Sequence, residues 1–197
     1  MKKAIFVAVI ITAFTAVSLK VYCEESPLQV VKKNIDQIIN TLTNKKLTPK
    51  EKKKKIKEIL EYTIDWPEVS KRVLGIHYRR LKPEQIEKFE HLFKEFVKNV
   101  YAKKFLKYSG EKIVYEKEIV EGNYASVKMK LITTDNQEIP MVCKLLKRGD
   151  KWYVYDVLIE GISMVNNYRI QINKIIARKG FSGLIRILEK KVSRIKD

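Results

Sequence analysis

The apolar positions of this chain change period twice. From residue 27 to about 107 they recur at helical spacing. Leu28, Val31, Ile35, Ile38, Ile39 and Leu42 predict a helix over 27–43, with Pro27 in its first turn after Ser26. Thr48-Pro49-Lys50-Glu51 is a capping box that opens a second helix with Ile56, Ile59, Leu60 and Ile64 on its face. Asp65 caps a short third helix that carries Val69, Val73 and Leu74 on one side and stops at Gly75. Lys82-Pro83-Glu84-Gln85 starts the longest helix, which runs to about Lys107 on a stripe that includes Ile86, Phe89, Phe93, Phe96, Val97 and Val100. Lys82 offers no side-chain acceptor, so this helix start is expected to fray.

After Ser109-Gly110 the period becomes two. Strands are predicted at 112–119, 124–132, 139–147 and 151–159, separated by short turns, which implies an antiparallel meander. In the second strand Ala125, Val127, Met129 and Leu131 alternate with Ser126, Lys128 and Lys130, so one face is buried and the other wet. Glu160-Gly161 breaks the fourth strand. Ser163 then caps a helix over 163–178 with Met164, Val165, Tyr168 and Ile172, and Gly180 separates it from a last helix over about 182–195. The expected fold is α+β: N-terminal helices, a four-stranded antiparallel sheet, and C-terminal helices. The helices carry more apolar surface than one sheet face needs, which makes an apolar cavity between sheet and helices a reasonable expectation.

The first 23 residues stand apart. Met1-Lys2-Lys3 followed by the apolar run Ala4–Leu19 has the form of an export signal and is short for a spanning helix. Cleavage after Ser18 and cleavage after Cys23 both fit, and Val21-Tyr22 argues against a lipid anchor on Cys23. Residues 24–197 remain as a single domain. The full chain carries 41 basic and 23 acidic residues, a net charge of +18, and loss of the signal with its three lysines leaves +15. Such a charge suits nucleic acid, anionic lipid or an acidic partner. The run Lys52–Lys55 reads either as a headgroup attractor or as a solvated helix side. No nucleic-acid recognition motif accompanies the charge. Two cysteines and two histidines make no metal-ligand cluster, and no Gly-rich phosphate loop, G-x-S-x-G or H-E-x-x-H occurs. No cofactor or metal is expected. An enzyme on such a sheet would have only Tyr153, Tyr155, Asp156 and His77 to work with, and Asp156 has no adjacent histidine.

Two blocks carry a family resemblance. Trp152-x-x-x-Asp156-Val157-x-Ile159-Glu160-Gly161-Ile162-Ser163-Met164-Val165 is one. The other is Asp65-Trp66-x-x-Val69-Ser70-Lys71-x-Val73-Leu74-Gly75-x-x-Tyr78-Arg79, continued by Pro83-Glu84-Gln85, Phe89, Phe93 and Tyr101. In this order, across roughly 27–190, they resemble the periplasmic phospholipid-binding subunits of the Mla (maintenance of lipid asymmetry) system, also called toluene-tolerance auxiliary proteins. Lys82 and Trp66 depart from the family pattern, where Thr or Ser and Phe are frequent.

The resemblance implies a curved cystatin- or NTF2-like sheet and a soluble periplasmic carrier, monomeric and not an enzyme. Its ligand would be a phospholipid, its acyl chains buried and its headgroup outside. Its partners would be an outer-membrane lipoprotein complex and the MCE-domain ring of an inner-membrane ABC transporter. A hopanoid or other hydrophobic ligand is the alternative within the same family, and an NTF2-like enzyme the alternative of another class. The expected lining comprises Leu74, Phe89, Phe93, Phe96, Val127, Met129, Leu131, Met141, Cys143, Val157, Ile159, Met164 and Val165, each of which also fits ordinary core packing. Both faces of the last two strands are apolar, so the pattern leaves open which one looks inward. Tyr78, Arg79, Arg80 and Arg169 are the expected headgroup residues at the cavity mouth, where a phosphate needs cations or donors. Asp156 and Arg169 are alternatively expected to form a buried bridge.

Overall fold

The computed structural model describes residues 25–196; the expected export signal, with Cys23 and both cleavage points, lies outside them. Four N-terminal helices come first: α1 (Pro27–Thr43), α2 (Pro49–Thr63), α3 (Trp66–Leu74) and α4 (Pro83–Phe105), with a 3₁₀ turn over Gly75–Arg80 between the last two. The starts follow from local chemistry. Ser26 with Gln29 and Thr48 with Glu51 form reciprocal capping boxes, and the Asp65 carboxylate accepts from Glu68 N–H at 3.0 Å. The start of α4 does have a tie. Lys82 supplies no acceptor, but its own N–H donates to Gln85 Oε1 at 2.9 Å, which is half of a capping box.

The meander is β1 (Lys112–Glu121), β2 (Tyr124–Ile132), β3 (Glu138–Arg148) and β4 (Lys151–Ile159). A fifth strand, β5 (Ile162–Ser163), corrects the expected count of four. Glu160 (φ 51°) and Gly161 (φ 78°) both lie at positive φ, the geometry of a two-residue hairpin turn, so the chain reverses rather than breaks and Ile162 pairs with Ile159. The order β1-β2-β3-β4-β5 is antiparallel throughout and open. Helix α5 (Met164–Lys196) follows, broken at Gly180 (φ 66°, ψ 176°), where the sequence placed the boundary between two helices.

Two large packed cores lie about this sheet, and a third, smaller cluster of Ile56, Leu60 and Ala102 joins α2 to α4. On one face α1 covers Val127, Met129, Cys143, Leu145, Trp152 and Val154 with Val30 and Val31. On the other side α3, α4 and α5 build a core of their own, with Trp66, Val73, Leu74, Phe89, Phe93, Ile172, Leu184 and Leu188 at its centre, and dock it along β4. The junction is fixed by backbone and charge. Asp65 N–H donates to Val154 O at 3.0 Å, beside a parallel bridge between Ile64 and Val154. Arg148, at the β3–β4 turn, reaches Asp65 at 2.9 Å and Glu68 at 3.2 Å. Arg72 pairs with Glu68 at 2.8 Å and lies over the Tyr155 ring at 4.2 Å. Among the described residues no helix is long and apolar enough to cross a membrane.

Candidate functional site

A bulge decides which side chains of β4 face which core. Register shifts between Lys144 and Leu145, with Leu145 opposite Val154 and Lys144 opposite Asp156, so Tyr155 is the extra residue. Trp152 and Val154 face α1 before the bulge. Val157, opposite Cys143, returns to that face after it. Unbroken alternation would have put Asp156 under α1. The bulge turns it the other way, toward the start of α5.

There Asp156 is fully employed. Its carboxylate accepts from Val157 N–H (2.9 Å), Val165 N–H (3.0 Å) and the Ser163 hydroxyl (2.6 Å). Ser163 Oγ in turn accepts from Asn166 N–H at 3.0 Å, as expected of the helix cap. The geometry of the corner thus has a local cause: one buried carboxylate ties β4, β5 and the first turn of α5 together. The expected Asp156–Arg169 bridge does not form. Arg169 instead donates to Asn166 Oδ1 at 2.6 Å, and its aliphatic stem crosses Gly75. A Cβ at Gly75 would stand 3.2 Å from Arg169 Cδ, and its φ of +55° suits glycine, so this close approach needs both features of the residue.

That contact joins Arg169 to the 3₁₀ turn carrying Tyr78, Arg79 and Arg80. Three expected mouth positions therefore sit on one short turn and the fourth lies against its first residue. Arg79 and Arg80 are exposed. Tyr78 packs against the helical core and also borders an open groove of about 520 Å³ lined by Pro83, Ile86, Glu87, Glu90, His91 and Lys94. Burial in this groove pushes the Glu90 carboxyl up, against the pull of Lys94 and with help from Asp65 and Glu87.

The expected lining divides between the two cores. Leu74, Phe89 and Phe93 are buried at the centre of the helical core, with Phe96 and Val165 packed on it. Val127, Met129 and Cys143 belong to the α1 face, with Met141 and Val157 beside them. Leu131 and Ile159 share the strand positions of that face, and Met164 is half-buried at the corner. Burial lifts the Cys143 thiol to about 12, so it is packing material rather than a nucleophile.

The helical core is the more polar of the two. Phe89 stacks on Phe93 at 5.3 Å, and Tyr168 meets Phe93 edge-on at 5.3 Å. Ser70 Oγ, Tyr101 OH and Asn173 Oδ1 are buried without a hydrogen-bond partner. Burial, then the neighbouring Tyr168 phenol and Asp156, push the Tyr101 hydroxyl above its ordinary range and keep it neutral. A void of about 30 Å³ lies in the seam between α4 and α5, bordered by Phe93, Phe96, Tyr168, Ile172, Leu184 and Leu188. Tyr168, Ile172, Leu184 and Leu188 were legible as helix positions, but nothing in their spacing marked them as neighbours of Phe93.

A model of the MlaC family, described as "MlaC protein", matches residues 32–190. The chain is 28% identical over 128 residues to the intermembrane phospholipid transport system binding protein MlaC of Haemophilus influenzae, covering 62% of this chain and 60% of that protein. It is 28% identical over 127 residues to the toluene tolerance protein ttg2D of Pseudomonas putida, covering 64% and 59%. The matched stretch thus spans about three fifths of these curated relatives. In fold it is similar to a phospholipid-binding protein of Ralstonia solanacearum solved in complex with a phospholipid, at a TM-score of 0.74 and 17% identity, over 85% of this chain and 97% of that one. With the family match covering most of its length, the chain belongs to the MlaC family.

Proposed function

We propose that the protein is a periplasmic phospholipid carrier. The observation that carries this reading is the family match over residues 32–190, joined to a fold shared with a protein that holds a phospholipid. The headgroup is assigned to the Gly75–Arg80 turn, where Tyr78, Arg79 and Arg80 stand beside Arg169. The acyl chains are assigned to the core of α3, α4 and α5 directly behind that turn, with Leu74, Phe89, Phe93, Phe96 and Val165 among its walls. The unpartnered hydroxyl of Ser70 suits this core, because the ester carbonyls of a glycerophospholipid accept hydrogen bonds.

The energetics fit a carrier. Burying about thirty acyl carbons gains on the order of 20 kcal/mol over water, at about 0.8 kcal/mol per CH₂. A bilayer offers nearly the same, so the preference for protein over membrane is small and cargo can be both loaded and released. Direction then comes from the partners, the outer-membrane lipoprotein complex and the MCE ring of the inner-membrane ABC transporter. A 30 Å³ void holds about one water molecule, so two chains enter only if the α4–α5 seam opens. The break at Gly180 divides α5 into two arms, and the seam that must open lies against both. An NTF2-like enzyme is disfavoured by the use of Asp156, whose oxygens already serve Val157, Ser163 and Val165.

Native mass spectrometry of the purified protein, with organic extraction of what it carries, tests this reading. One phospholipid per chain is expected. A protein that arrives empty and takes no phospholipid from liposomes overturns it. Recovery of a hopanoid would keep the fold's role and change the cargo. Arg169→Lys keeps the charge but loses the planar fork, and is expected to weaken loading severalfold; unchanged loading removes Arg169 from the headgroup site.

A further inference from the structure

The hairpin between α1 and α2 carries a dense run of charge. Seven lysines and one glutamate stand between residues 44 and 55. Lys45 and Lys46 are exposed in the turn, and Lys50, Lys54 and Lys55 are exposed on the first two turns of α2. Lys52 closes the hairpin by donating from Nζ to Leu42 O at 2.5 Å.

The same helix supplies an internal control. On its second half, charges are matched across to α4: Lys57 meets Glu95 at 3.1 Å, and Glu61 meets Lys94 at 2.7 Å and Lys98 at 2.5 Å. On its first half Lys50 and Lys54 have no such match. The side chains of Lys45, Lys46, Lys50 and Lys54 hold no ion pair among the described residues. Lysines at this end also face the positive pole of the α2 dipole, which is the less favourable place for them. The chain therefore keeps here a concentration of positive charge that folding does not use.

What such a tip can bind follows from what it lacks. Protein docking sites are built on a desolvated centre with aromatic or large apolar anchors. Residues 44–55 contain no aromatic side chain, and their one large apolar residue, Leu47, is half-buried. A bilayer with anionic headgroups needs no fixed geometry, because its lipids rearrange around flexible ammonium groups. We infer that the α1–α2 tip docks the protein electrostatically on an anionic bilayer surface. Docking does not depend on which lipid is carried, so this inference and the carrier reading fail in separate experiments.

The test is partitioning of the full chain onto vesicles of phosphatidylcholine, with and without about one third phosphatidylglycerol. Binding to the anionic vesicles is expected at low salt and is lost as salt shortens the screening length. The apolar residues 4–19 are common to every variant and act on both kinds of vesicle. Lys50→Gln with Lys54→Gln is expected to lower anionic binding about 25-fold, from about fivefold per lysine. Lys117→Gln with Lys128→Gln removes the same charge from the sheet and is the control. Thermal melting shows that each variant is folded. The tip variant is expected to melt at or slightly above the parent temperature, because it removes charge from the unfavourable helix end. An equal loss in both variants overturns the inference, since net charge alone would then explain binding. Unchanged partitioning of the tip variant also overturns it and leaves an acidic protein surface as the tip's partner.

Discussion

The two cores differ in finish. Under α1 the packing is mostly aliphatic and sulfur-bearing apart from Trp152 and Tyr115, built on strands whose register fixes the side chains, with Val127 and Leu145 fully buried. Between α3, α4 and α5 the packing is aromatic, encloses a void in the α4–α5 seam, and leaves three buried polar atoms without partners on three different helices. Sheet register cannot slip by a fraction of a residue, whereas packed helices can slide and part. The described residues thus comprise a half pinned by sheet register and a half of packed helices, to which the acyl chains are assigned, and the two blocks that carry the family resemblance both end in the second.

The strongest way to break this contrast is to cut a hole in each half. Leu145→Ala under α1 is expected to cost about 3 kcal/mol in urea unfolding, as for other large-to-small core changes, and to leave lipid loading of the folded protein intact. Phe93→Ala in the helical core is expected to cost about 3–4 kcal/mol and also to lower loading. If loading instead follows Leu145 and ignores Phe93, the acyl chains lie on the α1 side.

Much of this architecture was legible because its punctuation is local. Ser26, Thr48 and Asp65 each announce a helix by a side chain that satisfies backbone N–H groups, and β2 alternates without interruption. The parts that escaped are those where a local rule is overridden. Glu160 adopts a positive φ that its residue type does not advertise, so Glu160-Gly161 reads as the end of β4 and Ser163 as a helix cap, with no sign of the two-residue β5 between them. The bulge at Tyr155 reverses the parity of β4, and no pattern of apolar residues reveals a bulge when both faces are apolar. The division of the lining between two cores follows from that reversal and from tertiary packing of α5. The approach of Arg169 to Gly75 joins residues 94 positions apart, a distance that spacing alone cannot bridge.

Next in size is the break in α5. Gly180 sits at φ 66° and ψ 176°, a region that side chains other than hydrogen occupy at a cost of about 1–3 kcal/mol. Gly180→Ala is expected to lose about 2 kcal/mol of stability. If the variant straightens the helix instead, the α4–α5 seam is displaced and lipid exchange between protein and liposomes changes, while hydrogen exchange of β2 and β3 does not. Faster hydrogen exchange in the sheet as well would show that the two halves are one cooperative unit.

The charge cluster between α2 and α4 gives a smaller effect with a pH signature. Lys98 is buried between Glu61 and Glu95. For both carboxyls burial raises the pKa, and the hydrogen bonds from lysines outweigh it and hold them low. Burial lowers Lys98, and its two carboxylate partners outweigh that and raise it. Carboxyls held low contribute stability that is present above their unfolded value, near 4.3, and is lost as pH falls through the folded value. The raised lysine contributes stability that is present below about 10.4 and is lost as pH rises through its folded value. Lys98→Met is expected to cost about 1–2 kcal/mol at neutral pH, less than for a fully buried pair because both glutamates remain partly solvated. The fall in melting temperature below about pH 4 should also flatten in this variant. Lipid loading is expected to be unchanged, since this cluster faces α2 and not the seam.

The finest test concerns one oxygen. Ser70 is fully buried and its Oγ has no partner, whereas a buried hydroxyl normally finds one. Desolvating such a group without compensation costs about 1–3 kcal/mol. If the two halves differ as argued, the helical half tolerates this cost because the hydroxyl serves the loaded state and not the empty one. Ser70→Ala removes one oxygen and barely changes shape. It is therefore expected to stabilise the lipid-free protein by about 1 kcal/mol and to weaken loading. Tyr115→Phe removes the comparable orphan from the α1 side and is expected to stabilise without touching loading. Urea unfolding of delipidated protein and phospholipid uptake from liposomes separate the two cases. Destabilisation by Ser70→Ala in the delipidated protein would mean that the hydroxyl is bonded there after all, and the helical core would then be as finished as the other.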